Sequence, residues 1–291
     1  MFQQPSVKHG IALLLKGEEG VGKNVWTNVM RSLMGDDKFL ETSKPSTVLY
    51  GQFTSARRNK ILICINEANG KDNHAHNDIL KDMITSETFV CEAKGENAVM
   101  IRCYDRFIFT TNNDNPINLT PDSRRFVVFD VSSELKGNTA YFRELVAITA
   151  DPHVRYEFYQ HLMRLDISGM DWQNDRPKTL GMMRLMASNS PCEYRYVRDL
   201  LAEAQARGEN LLTVGSDALF DGFVSWISQQ HISKYETNRI KFGIRMAKII
   251  EGCTSIKKTK SNRCAVYHFD VEVGMADLVK RGWVLSAGDD V

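Results

Sequence analysis

Residues 17–24, GEEGVGKN, follow the apolar run IALLLK (11–16). They precede a stretch in which Val25, Val29 and Leu33 recur at helical spacing, as do Trp26 and Met30. A glycine-rich turn between a buried strand and an amphipathic helix is the context of a phosphate-binding loop, and it commits the chain to an α/β fold built on a parallel sheet. The pattern G-x-x-x-x-G-K is complete in Gly17, Gly22 and Lys23. Backbone N–H groups of Gly17, Glu18, Glu19, Gly20, Val21 and Gly22 would cradle phosphates at the helix start, and Lys23 would reach the β- and γ-phosphates. The position that normally offers a Ser or Thr hydroxyl to magnesium is Asn24.

Three more apolar runs read as strands of the same sheet: KILICINEAN (60–69), RFIFTTNNDNP (106–116) and RRFVVFDV (124–131). Each ends or begins in chemistry that an ATPase needs. Glu67 follows the first run and would orient or deprotonate the attacking water. Asn66 stands where an acid is expected before it. Both usual magnesium-supporting positions, Asn24 and Asn66, therefore carry amides, which ligate the ion directly or through water at a lower local charge, and Glu67 is the third residue expected to support it, directly or through water. Asn112 closes the next strand, within reach of a γ-phosphate or the water. Arg124 and Arg125 precede the last one, and an arginine in that role is often presented to a neighbour's phosphate.

Nothing in the 291 residues approaches the ~18 unbroken apolar residues of a membrane span. The six cysteines form no C-x-x-C pair. A reduced, intracellular setting with free thiols is expected, Cys253 and Cys264 included. The net charge is +1, so any nucleic-acid contact must come from local patches. The segment 166–190 reads as a linker with a short helix. Beyond it come an EYRYVRDLLAEAQARGEN helix, a helix with Leu219, Phe223, Trp226 and Ile227 on one face, a third helix, and two β-like runs around a polar turn. That is the outline of a winged helix. Lys241, Arg245 and Lys248 share one helix face, and Lys257, Lys258, Lys260 and Arg263 sit in the wing, which suggests contact with a nucleic-acid backbone. A solvated basic surface has the same composition. His74 and His76 in DNHAHND lack helical ligand spacing and read as a polar loop.

Together, GEEGVGKN, ILICINEA, LKDMITSETFVCEAKGE, FTTNNDNPI and DSRRFVVFDV resemble, in order and over nearly the whole chain, a superfamily 3 helicase of the AAA+ class, the helicase module of poxvirus-type and phage primase-helicases. The resemblance implies an AAA+ core at 1–165, the linker 166–190 and a winged-helix-like domain at 191–291. It implies ATP and Mg²⁺ as cofactors, single-stranded and forked DNA as partners, and a homo-oligomeric, hexameric ring. In that ring Arg124 or Arg125 would serve the neighbour's ATP. It also implies a hairpin that grips DNA, here FVCEAKGENAVMIRCY with Lys94 at its turn and Lys81 in the helix leading to it. The family's collar and primase-polymerase would lie upstream, so the chain is expected to be a fragment of a protein in the host-cell cytoplasm. Two other readings stay open at this point. One is a P-loop ATPase that remodels or loads protein on DNA. The other is a DNA-binding module that binds ATP without turnover.

Overall fold

The computed structural model describes residues 1–66, 76–120, 123–172, 174–230, 238–246, 249, 251–256 and 265–284. The chain divides into two compact units, Met1–Leu185 and Met186–Val291.

Five parallel strands form the sheet of the first unit: β1 (Ala12–Lys16), β2 (Phe39–Thr42), β3 (Leu62–Ile65), β6 (Arg106–Thr111) and β7 (Phe126–Asp130), in the spatial order β2-β3-β6-β1-β7. All of β3 is buried, as is β6 from Phe107 to Thr111, as expected for inner parallel strands covered on both faces. Four of the five were legible as apolar runs. β2, the four residues FLET, was not foreseen, because only Phe39 and Thr42 are buried and so short a segment has no periodicity to read.

Between β3 and β6 the chain forms the helix Asn77–Thr85, which buries Leu80, Met83 and Ile84. An antiparallel hairpin follows, β4 (Thr88–Cys91) and β5 (Val99–Arg102), with Val90 opposite Met100. Its turn uses Gly95 at φ +84°, and Lys94 beside it is exposed. The base of the hairpin is fastened by a buried ion triad. Asp105, with no exposed surface, accepts Lys8 Nζ at 2.9 Å and Arg57 Nε at 2.9 Å. Lys8 also donates to the carbonyls of Met83 and Ser86, and Arg57 lies over the Phe89 ring at 4.3 Å. A buried carboxylate is tolerable only with this degree of pairing.

Much of the expected linker is packed structure. Thr179 donates its hydroxyl to the Val128 carbonyl on β7 and caps the Met182 N–H of the helix Leu180–Ser188, whose Met182 and Leu185 are buried. The boundary between the two units falls inside that helix.

The second unit runs helix Cys192–Ala206, β8 (Leu211–Gly215), helix Ser216–Gln229, helix Arg239–Met246, β9 (Cys253–Ile256), β10 (Val266–Asp270), helix Val271–Lys280. Its sheet is antiparallel, in the order β8-β10-β9. The predicted apolar face is the core: Leu219, Phe223 and Trp226 are buried, and Phe223 stacks on Phe242 at 4.7 Å. Tyr267 and Phe269 are buried in the same core. The sequence reading foresaw neither β8 nor the last helix.

Candidate functional site

The connection out of β1 leads to the far edge of the sheet, whereas the connection from β6 to β7 crosses to the other side of β1. Such a reversal leaves a crevice at the carboxyl ends of the strands, the usual ligand position in an open parallel sheet. Register fixes what stands there. Leu15 pairs with Thr110 and Lys16 with Thr111, so the loop after β1 and Asn112 after β6 emerge side by side. The Gly17 N–H donates to the Thr111 carbonyl at 3.0 Å and seals that corner.

The loop then needs its glycines. Gly20 and Gly22 adopt φ of +83° and +90°, where a side chain is strained. A Cβ on Gly22 would also meet Phe142 Cε1 at 2.6 Å. Gly22 starts the helix Lys23–Met34 with no side-chain cap and no acidic residue in the first turn. Two other helices of this unit are capped by side chains, Asn138 on the Tyr141 N–H and Asp151 on the His153 N–H. The Lys23 helix therefore keeps its first N–H groups and the positive end of its dipole open to an anion. Along it Thr27 and Met30 are buried and Trp26 is half exposed, so the buried face is turned one residue from the Trp26–Met30 stripe.

A cavity of about 420 Å³ opens over this corner, lined by Glu19 through Val25, Asn66, Thr110, Thr111, Asn112 and Phe142. Lys23 Nζ donates to the carbonyls of Gly17 (2.6 Å) and Glu18 (2.7 Å). Burial lowers its pKa from the usual value, against an opposing pull from Glu19. Glu18 turns away to pair with Lys136 and is not part of the wall. Asn24 is exposed on the wall.

Asn66 is held on both sides. Its amide nitrogen donates to Glu41 on β2, and its oxygen accepts the Thr110 hydroxyl at 3.0 Å and the Cys64 thiol at 3.1 Å. Burial and the Glu41 charge push the Cys64 thiol up to about 12, so it stays protonated as a donor. Glu67 lies outside the described residues. Among those described, no three His, Cys, Asp or Glu side chains gather into a metal cage.

On the other side of the loop a largely apolar cavity of about 380 Å³ shares Val21, Gly22, Val25 and Phe142 with the first and adds Trp26, Leu135, Tyr141 and Phe158. The rings of Tyr141 and Phe142 meet edge to face at 5.3 Å. Neither these aromatics nor Glu41 nor Thr110 was singled out in the sequence. The doublet Tyr141–Phe142 at a helix start was the available clue; nothing local marked Glu41.

Arg124 and Arg125 stand at the opposite edge. The Arg125 carbonyl accepts the Ala12 N–H at the start of β1. Five residues of β7 separate that point from Asp130, which pairs with Lys16 beside the loop. At ~3.3 Å per residue the gap is about 16 Å. Arg124 is exposed, whereas Arg125 has its Nε buried with no acceptor among the described residues. Arg176 lies near Arg124, its pKa lowered by burial and then by that charge.

The hairpin lysine, Lys94, is exposed and Lys81 pairs with Asp78 at 3.4 Å. In the second unit Lys241 is exposed, while Arg245 pairs with the buried Glu193 of the helix Cys192–Ala206. Lys248, Lys257, Lys258, Lys260 and Arg263 lie outside the described residues, as do His74 and Cys264. His76 stacks on Tyr50 at 4.8 Å. No helix among the described residues is long and apolar enough to cross a membrane.

A family model described as a family of unknown function (DUF5906) matches residues 15–125, which hold the loop, Asn66, Asn112 and Arg124. The DNA primase-polymerase of Nitratiruptor phage NrS-1 is 26% identical over 130 residues, 44% of this chain and 18% of that protein. The chain thus matches under a fifth of that relative's length. An apo structure of the NrS-1 C-terminal region aligns with a TM-score of 0.61 at 16% identity, covering 91% of this chain and 68% of that one. A second apo form gives 0.57 at 18% identity, covering 91% and 67%. These likenesses establish homology to a part of the phage protein and a shared mixed α/β fold.

Proposed function

We propose that the chain is the ATP-hydrolysing DNA helicase motor of a phage replication protein, an AAA+ module of the superfamily 3 type that works as a ring. The observation that carries this reading is the corner at the carboxyl ends of β1 and β6, where an uncapped helix N-terminus, Lys23 and Asn112 converge on one cavity. Similarity to the NrS-1 primase-polymerase favours a replication role over other uses of such a loop.

ATP would lie with its phosphates on the loop, where the Lys23 ammonium exchanges two loop carbonyls for phosphate oxygens. The base would rest in the adjoining apolar cavity against Tyr141 and Phe142. Asn112 would hold the γ-phosphate or the water, and Glu67 would polarise that water. The donor set suits a magnesium ion carried in with the phosphates: Asn24, Asn66 and Thr110 line the cavity, and no cluster of three His, Cys, Asp or Glu among the described residues competes for it. Magnesium bound there would supply positive charge against the negative charge that builds up on the phosphates during transfer.

Arg124 cannot serve its own loop across the sheet, so the finger role requires a second subunit. Its exposure makes it the better candidate of the pair. The order of elements in the second unit, with sheet order β8-β10-β9, supports a winged helix; Lys241 and the wing lysines would meet the DNA backbone. Arg245 is better assigned to holding Glu193.

The test is unwinding of forked DNA with ATP. Wild-type protein should unwind. Lys94→Ala should keep its basal ATPase within about twofold and lose unwinding by tenfold or more, because the hairpin is remote from the loop. DNA-stimulated hydrolysis without unwinding would identify a remodelling ATPase instead, and binding without hydrolysis would exclude a motor.

A further inference from the structure

Among the described residues, Glu19 is the one carboxylate on the cavity wall. Asn24 and Asn66, the two positions expected to support magnesium, are both neutral, and a divalent cation beside a triphosphate is normally held in part by a carboxylate. A second carboxylate reaches this corner from the strand that the sequence concealed. β2 pairs with β3 so that Glu41 lies opposite Cys64 and Thr42 opposite Ile65. The Asn66 N–H donates to the Thr42 carbonyl at 2.9 Å, which fixes the backbone of Asn66 against β2. The Glu41 carboxylate then accepts the Asn66 side-chain amide.

That contact decides which way the amide faces. An ionised carboxylate only accepts hydrogen bonds, so the NH₂ end must point at Glu41. The oxygen end is left facing Thr110, a wall residue of the phosphate cavity, and the Cys64 thiol. Glu41 also pairs with Arg31 at 3.9 Å, which offsets part of its charge; that guanidinium makes its closer contact, 2.6 Å, to Asp36.

We propose that Glu41 is a positioning residue for the phosphate site: it orients the Asn66 amide and supplies, from the adjacent strand, the negative charge that holds a divalent cation beside the nucleotide. The inference rests on the nucleotide reading above and names the cation's counter-charge within it. One hydrogen-bonded amide separates the charge from the cavity. Its action is therefore through Asn66 and through space.

Mn²⁺ titrated into the protein with a non-hydrolysable ATP analogue, followed by electron paramagnetic resonance, gives the readout. Glu41→Gln keeps the shape and an acceptor for Asn66 and removes only the charge. It should weaken Mn²⁺ about tenfold, the order expected for one charge at roughly 10 Å in a medium of effective dielectric about 20, less some screening. Analogue affinity in EDTA and the thermal unfolding midpoint should stay put. Glu41→Gln with Asn66→Asp returns one negative charge to the corner and should recover most of the loss. A merely structural role for Glu41 predicts instead a lowered unfolding midpoint with Mn²⁺ affinity unchanged in Glu41→Gln. Mn²⁺ affinity within twofold of wild type in Glu41→Gln, or no recovery in the double variant, overturns the inference while leaving nucleotide binding intact. Failure of the wild-type protein to bind the analogue at all overturns the nucleotide reading, and this inference with it.

Discussion

The two edges of the parallel sheet are built from different chemistry. At the carboxyl edge the cavity is walled by glycines, amides, hydroxyls and a few apolar side chains, with Lys23 and Glu19 as its charged residues. At the amino edge stand Arg124, Arg125 and the base of the hairpin, tied down by Lys8, Arg57 and Asp105. The first edge combines an uncapped helix N-terminus with one lysine and one glutamate on the wall, which suits the anionic ligand proposed above. The second spends its charges on bracing a hairpin and on presenting an arginine to solvent. About 16 Å of β7 separates them, too far for one chain's finger to complete its own loop. On the function proposed above, each chain would carry two half-sites, and catalysis would belong to the junction of two copies.

The largest expected effect comes from separating the halves. Arg124→Ala and Lys23→Ala proteins should each hydrolyse ATP at least 10³-fold slower than wild type, the lower end of what a finger contributes in turnover. Mixed together, some junctions pair an intact loop with an intact finger, and part of the activity should return. Mixed assemblies that form yet stay inactive would break the comparison, since Arg124 would then have no role in trans.

A second test reads the amino edge as stability. Asp105→Ala leaves Lys8 and Arg57 buried without their counter-charge, and removing one partner of such a cluster costs about 3–5 kcal/mol. Chemical denaturation should show a loss of that order. A loss below about 1 kcal/mol would mean that water enters the site and that the triad does not brace the hairpin.

The smallest effect sharpens the carboxyl edge. Phe142→Ala should weaken ATP binding by about 1–2 kcal/mol, roughly tenfold, the scale of one base–aromatic stack. Inorganic tripolyphosphate, which has no base, should bind wild type and variant alike. Equal losses for both ligands would place Phe142 under the loop, as a support for Gly22, and leave the second cavity without a base.

Much of this arrangement was legible locally. GEEGVGKN between an apolar run and a helical repeat forced the strand, loop and helix, because Gly at positive φ and Lys after it have few other uses in that setting. Three further apolar runs gave three more strands, since an inner parallel strand must be apolar on both faces. AKGEN between β-like flanks gave the turn that carries Lys94, and the face of Leu219, Phe223 and Trp226 gave the core helix of the second unit. β2 was not legible: four residues with two buried positions have no period, and they become a strand only because β3 offers them an edge. Glu41 was hidden with it.

The sequence by itself therefore determined the local elements and the loop's chemistry, because those depend on residues within a turn or two of one another. Tertiary structure alone decided the rest. Pairing β6 between β1 and β3 brought Asn112 to the loop, and pairing β2 with β3 brought a carboxylate to Asn66. The direction of β7 put Arg124 at the far edge, and burial distinguished it from Arg125. Strand order and register are set by contacts between segments dozens of residues apart, and no local pattern encodes which strand a segment will lie beside.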